Sequence, residues 1–181
     1  MTFTLSPERE KLLDQIIARY PEKRAACLPA LQLCQEQTGH IEEAAVAWVA
    51  EKLALSTAQV QGVVTFYTMF QQKKVAPNVV WICRTLSCEL MGAKAVQQAL
   101  EKKLGCHAGE TSKDGKVTLL KAECLAACGY GPMMQLNDEY HLALTPEKAV
   151  EIVEAAKDRA RDLPIGDPGG WQFGPQGGGT R

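Results

Sequence analysis

Cys83-Arg84-Thr85-Leu86-Ser87-Cys88 and Cys124-Leu125-Ala126-Ala127-Cys128 decide how this chain is read. The first pair has a C-x4-C spacing and the second C-x3-C, and most of a small α/β pattern lies between them. Cys83 ends the apolar run from Asn78, and Cys88 leads into a helical pattern through Leu90, Ala93, Val96, Leu100 and Leu104. Cys124 follows the apolar run Val117 to Leu120, and Cys128 leads into Gly129-Tyr130-Gly131-Pro132, a turn that exposes backbone amides. Both pairs therefore fall at element ends, where N–H groups are free to face bound negative charge.

Four soft thiolates arriving two by two match the needs of a [2Fe–2S] rhomb, which takes two cysteines per iron. A structural zinc also accepts four cysteines; C-x3-C lies within its usual spacing and C-x4-C is marginal. Structural disulfides suit secreted chains, and Pro7, Glu8 and Arg9 stand where the apolar core of a signal peptide would begin. Mixed Cys/His ligation of the Rieske type is excluded, because His40, His107 and His141 are not spaced with the paired cysteines.

Working outward, Ser6 and Pro7 open a helix carrying Leu12, Leu13, Ile16, Ile17 and Tyr20 on one face, stopped by Pro21. Pro29 opens a second, closed by Gly39; Ala45, Trp48, Val49 and Leu53 mark a third; Ser56-x-x-Gln59 is a capping-box spacing ahead of a fourth. These short helices are expected to form a bundle over residues 1–73. After a polar boundary from Lys73 to Asn78, the expected order over 78–160 is strand (Val79 to Cys83), helix (Glu89 to Leu104) and three strands (Val117 to Leu120, Met133 to Leu136, Tyr140 to Leu144). A helix from Pro146 to Ala160 follows. Asp114-Gly115 makes a turn, and Asn137-Asp138 joins the last two strands as a hairpin. The class is α+β, and a thioredoxin-like layer suits this order, as another α+β layer also would. Residues 161–181 read as a Gly/Pro-rich tail; seven Gly and three Pro surround Trp171 and Phe173 from Pro164 onward, too many for a packed element.

Composition narrows the function classes. Twenty basic against 21 acidic residues leave no net field to attract nucleic acid. The longest apolar stretch, Ala44 to Ala50, falls far short of the ~20 residues that span a bilayer, so no direct membrane insertion is expected. Gly129-x-Gly131 is followed by Pro132 rather than a helix, and no Walker A sequence exists, so no nucleotide site is expected on the chain. Cys27, Cys34 and Cys106 read as small buried hydrophobes. Phe66, Tyr67 and Phe70 read as core or subunit interface rather than a flavin box. Seven cysteines without a secretion signal fit a reducing compartment, and the lack of an Arg-rich presequence favours a bacterial cytoplasm.

The paired segments, with Glu89-Leu-Met-Gly92 after the first and Gly129-Tyr-Gly-Pro132 after the second, resemble the thioredoxin-like [2Fe–2S] subunit of respiratory NADH:quinone oxidoreductase, the 24 kDa subunit family of complex I. Gly62-Val-Val-Thr-Phe-Tyr-Thr-Met-Phe70 resembles its G-x-x-T-F-Y-x-x-F segment, and Leu31 to Ile41 its preceding helix and turn. The resemblance covers roughly residues 8 to 160. It implies an N-terminal helical bundle followed by a thioredoxin-like [2Fe–2S] ferredoxin domain, one [2Fe–2S] cluster per chain held by Cys83, Cys88, Cys124 and Cys128, and no catalytic residue on the chain itself. It further implies a non-nucleotide-binding subunit, inactive alone, that exchanges single electrons with FMN. FMN and NADH would sit only on a partner flavoprotein with its own [4Fe–4S] cluster, beside the other peripheral-arm subunits on the cytoplasmic side of the inner membrane. Similar subunits serve NAD-linked hydrogenases and formate dehydrogenases; a zinc-stabilised interaction module is the reading from a different class. Ala126 stands where the family often has Gly.

Overall fold

A computed structural model describes residues 3–158 and divides the chain into two compact units between Lys74 and Val75. The expected tail lies outside the described residues.

The first unit is helical. α1 (Pro7–Ile17) begins with Ser6 Oγ accepting from the Arg9 amide and Pro7 at the first position. It ends at Ile17, short of Tyr20, which follows in a turn and is exposed; one turn with no apolar partner beyond Ile17 has nothing to bury. α2 (Cys27–Thr38) starts two residues before Pro29, running on directly from a 3-10 turn over Lys23–Ala26. Pro29 is tolerated because the first amides of a helix have no acceptor within it. Gly39, at φ 80°, closes α2 in the left-handed conformation. α3 (Glu43–Leu53) and α4 (Thr57–Phe66) follow, α4 entered through a complete Ser56/Gln59 capping box. Leu13, Leu31, Val49, Val60 and Val64 fill the core, and Phe3 meets Trp48 edge to face at 5.8 Å. Lys52 bridges Glu10 and Asp14 of α1.

The second unit is a five-stranded sheet in the order β2-β3-β1-β4-β5 with helices packed on it. β1 (Asn78–Cys83) pairs parallel with β3 (Val117–Ala122), Cys83 opposite Ala122; all other pairings are antiparallel. β4 (Met134–Leu136) and β5 (Glu139–His141) form the expected hairpin, with Asn137 left-handed at φ 54°. β2 (Glu110–Thr111) is additional to the expected order; a two-residue exposed edge strand has no alternation to reveal it. The expected helix from Glu89 to Leu104 is two: α5 (Leu86–Leu90) and α6 (Ala93–Leu104), separated by Gly92 at φ 103°, a value helical residues do not adopt. α7 (Pro146–Ala156) is capped by Thr145 Oγ1 accepting from the Lys148 amide and packs with α6 over Val80, Ile82, Leu100, Leu119 and Met134. β5 ends at His141, so Leu142 to Leu144 lie beyond the strand expected there.

Candidate metal centre

β1 and β3 run parallel, so their C-terminal ends lie side by side, and a cysteine stands at or just past each. Cys83 is the last residue of β1, and Cys124 comes two residues after β3 ends. Each chain segment then turns back within five residues to present a second cysteine: Cys88 in α5, and Cys128 at the start of a 3-10 turn over Cys128–Tyr130. The four thiols the spacing singled out thus reach one end of the sheet, as two pairs. Cys124 and Cys128 Sγ are 3.9 Å apart, and the Cys88 thiol hydrogen-bonds Cys83. The pairs also feel each other electrostatically, Cys88 with Cys128 and Cys128 with Cys83. Among the described residues no three His, Cys, Asp or Glu side chains converge as a single-ion site. The arrangement is two and two.

The pairs differ in solvent access. Cys83 and Cys88 are buried with Ala93 and Met133, flanked by Leu125 and Ala127; Cys124 and Cys128 are exposed. Burial pushes the Cys83 thiol up, but hydrogen bonds from the Thr85 and Leu125 amides, the Cys88 thiol and the Thr85 hydroxyl outweigh it and leave its pKa lowered. Burial, then the hydrogen bond and charge of Cys83, drive Cys88 up to about 11, opposed by the Met133 amide. The hydrogen bond and charge of Cys124 raise Cys128. Thiols that oppose one another's ionisation are ionised together only where strong positive charge joins them, the condition an iron pair supplies. Backbone donors supplement it, including the Ala126 amide, 3.4 Å from Cys124 Sγ. The residues therefore fit a [2Fe–2S] cluster by donor type, pairing and amide supply.

The helix end expected at Cys88 is displaced. α5 begins after Thr85, so Cys88 is its third residue, and the amide that reaches Cys83 is that of Thr85, just before the helix. Three features lie outside the sequence reading. Gly131 is held so near α5 that a Cβ there would stand 3.3 Å from Cys88 Cα, Cys88 Sγ and Met91 Sδ. Ala126, between the exposed cysteines, has φ 60°. Arg84 and Glu123, the neighbours of Cys83 and Cys124, form an ion pair. The first two carry a sequence signal in Gly131-Pro132 and in the departure at Ala126; the third carries none.

The remaining cysteines are packing residues: Cys27 and Cys34 lie in the helical core, Cys106 in the sheet core, and burial raises all three, Cys34 to about 12. The aromatic segment divides. Phe70 is buried in the helical core, whereas Phe66 is 77% exposed with Tyr67 edge-on to it at 5.0 Å.

A family model described as thioredoxin-like [2Fe–2S] ferredoxin matches residues 13–157. The E subunit of NADH-quinone oxidoreductase from Rickettsia conorii is 39% identical over 155 residues, spanning 84% of this chain and 93% of that protein. The subunit of the same name from Escherichia coli K12 is 35% identical over 155 residues, spanning 86% and 93%. Among solved structures, an NAD+-reducing [NiFe]-hydrogenase in the air-oxidised state shares the fold with a TM-score of 0.64 over 76% of this chain, at 16% identity; the match spans 24% of the hydrogenase chain.

Proposed function

Because the chain belongs to the thioredoxin-like [2Fe–2S] ferredoxin family, we propose that Cys83, Cys88, Cys124 and Cys128 hold one [2Fe–2S] cluster in an electron-transfer subunit of bacterial NADH:quinone oxidoreductase. The observation that carries this reading is the delivery of four thiols, two and two, to the adjacent ends of parallel strands β1 and β3.

When bound, the cluster supplies one-electron chemistry. The protein's part is asymmetric. Cys83 and Cys88 hold one side in the interior, where amides of Thr85, Leu125 and Met133 take up negative charge. Cys124 and Cys128 present the other side to solvent, and this exposed side is where a partner approaches. A hydride carries two electrons, so NADH oxidation needs a flavin on another subunit. In this reading FMN, NADH and a [4Fe–4S] cluster belong to that flavoprotein, and the assembly holds the chain on the cytoplasmic face of the inner membrane. No helix among the described residues is long and apolar enough to cross a membrane. Phe66 is the most exposed aromatic of its segment and, with Tyr67 and Met69, is available for docking; Phe70, buried, is not.

Iron, acid-labile sulfide and zinc assays on the purified chain, with EPR after dithionite reduction, test the assignment. Expected are about two iron and two sulfide per chain and a one-electron signal with a midpoint on the order of −400 mV. Stoichiometric zinc without sulfide would establish the interaction-module reading instead. NADH oxidation by the isolated, flavin-free chain would overturn the division of labour. Co-purification with quinone-linked NADH oxidation, rather than hydrogenase or formate dehydrogenase activity, identifies the assembly.

A further inference from the structure

The sheet ladder between β1 and β3 ends where the cysteines begin. Its last rung pairs Cys83 with Ala122, followed by the Arg84 amide donating to Ala122 O at 3.1 Å. Beyond that point the segments separate, one into α5 and the other towards Cys128. A further link that survives ionisation of the cysteines crosses the gap: the Arg84 guanidinium forms an ion pair with the Glu123 carboxylate. Each partner of that ion pair is covalently next to a candidate ligand, Arg84 to Cys83 and Glu123 to Cys124. The exposed Cys124 loop is otherwise held by the Leu125 amide donating to Cys83 and by Leu125 and Ala127 packing against the buried pair.

We propose that Arg84 and Glu123 are positioning residues for the cluster: a charged clasp that fixes the spacing between the two ligand loops and places one positive and one negative charge beside the redox centre. The proposal rests on the cluster assignment above. Its two consequences are separable. As a mechanical link between exposed side chains the clasp is weak, and it acts on how firmly the second loop holds its ligands rather than on whether the unit folds. As a pair of charges it is nearly silent while intact, because the guanidinium and carboxylate offset each other. Removing one partner leaves the other uncompensated next to a centre that becomes more negative on reduction. A lone Arg84 favours the reduced state, and a lone Glu123 disfavours it.

The test is an EPR redox titration of the reconstituted full-length chain and of Arg84→Gln, Glu123→Gln and the double variant, with cluster release to a chelator followed by visible absorption. Glu123→Gln should raise the midpoint and Arg84→Gln should lower it, while the double variant returns towards the parent. All three should release the cluster about two- to fivefold faster, the scale of an exposed ion pair. Restored retention in the charge-swapped Arg84→Glu/Glu123→Arg chain would establish the clasp as the cause. A purely structural disturbance shifts both single variants the same way, so equal-sign shifts overturn the proposal, as do unchanged midpoints or unchanged release rates. A parent chain that carries no [2Fe–2S] cluster defeats the underlying assignment, which the parent's iron and sulfide content reveals before any variant is compared.

Discussion

The two ends of the β1–β3 pair are built on opposite principles. At the starting end the chain satisfies itself. Asn137 Oδ1 accepts from the Val79 amide at 2.8 Å while its Nδ2 donates to Asn78 Oδ1 at 3.0 Å. Thr118 Oγ1 accepts from the Ala76 amide at 2.8 Å, and Ser112 Oγ accepts from the Val117 amide at 3.1 Å. Lys157 reaches Asp114, and Lys116 reaches Asp158. At the finishing end stand four free thiols, and Leu86, Leu90, Met91 and Tyr130 are exposed around the turns that carry them. Buried polar groups need partners whose absence costs about 1–3 kcal/mol each, and at the starting end the chain supplies them itself, whereas on the proposed reading the thiols of the finishing end are partnered by the cluster.

The largest effect is expected from removing a proposed ligand at the finishing end. Cys83→Ala, Cys88→Ala, Cys124→Ala and Cys128→Ala should each abolish the intact cluster, seen as loss of acid-labile sulfide and of the reduced EPR signal. Cys27→Ala, Cys34→Ala and Cys106→Ala should retain both. The comparison sharpens within the ligand set: in the cluster-free protein the two buried positions should affect the urea midpoint and the two exposed ones should not. A Cys106 variant that loses the cluster while a Cys124 variant keeps it would sink the ligand assignment.

Next in size is the close approach at Gly131. A Cβ meets the Cys88 backbone as well as two sulfurs, and while the Met91 thioether swings away readily the Cys88 Cα does not. Gly131→Val should cost about 1–3 kcal/mol as overpacking, measured by urea unfolding of the cluster-free chain, and should alter the EPR line shape of whatever cluster assembles. Gly129 has no atom within 4 Å of its ideal Cβ, so Gly129→Val is the matched control with an effect near zero. Equal losses at both positions would mean that the turn, not the contact with Cys88, is the sensitive feature.

What the sequence displays and what it hides follow the same physical division. Features set by one residue's own chemistry were legible: the Ser56/Gln59 box, the Thr145-Pro146 helix start, the Asn137-Asp138 turn and the cysteine spacing. Features that a neighbouring pattern masks, or that depend on contacts distant in sequence, were not. The break at Gly92 is hidden because apolar residues on both sides keep the helical rhythm. α2 begins early because the 3-10 turn before Pro29 feeds it, and β2 exists only because β3 offers an edge. The buried and exposed characters of the two cysteine pairs, and the Arg84–Glu123 pair, emerge only once the parallel strands bring residues some 40 positions apart together.

A smaller effect distinguishes the strain of the second loop from its chemistry. Ala126 pays for a left-handed backbone at φ 60°, on the order of 1–2 kcal/mol for a residue with a Cβ. Glycine relieves that strain but loses roughly 0.5–1 kcal/mol to unfolded-state entropy. Ala126→Gly should therefore stabilise the cluster-free chain by up to about 1 kcal/mol, with iron content and EPR signal unchanged. A destabilised variant would show that the alanine methyl makes contacts outweighing its backbone strain.

The smallest effect belongs to the starting end and is read in pH. Asp114 is held down to about 2 by hydrogen bonds from the Ser112 hydroxyl and the Lys116 amide, with Lys157 adding a further hydrogen bond and its charge. A carboxyl whose pKa is lower folded than unfolded contributes stability above its unfolded value, near 4, and loses it as pH falls towards 2. Asp114→Asn should accordingly lower the urea midpoint of the cluster-free chain at pH 6, and the gap from the parent should close as the pH drops from about 4 towards 2. Because Asp114 is open to solvent, the gap should stay well below the Gly131→Val loss, and salt should shrink the share that Lys157 provides. Cluster content should be the same in variant and parent, since Asp114 lies at the far end of β3 from the cysteines. A gap that persists unchanged at about pH 2.5, below the unfolded carboxyl's range, would show that the substitution disrupts the turn itself, not the carboxylate's charge-assisted bonds.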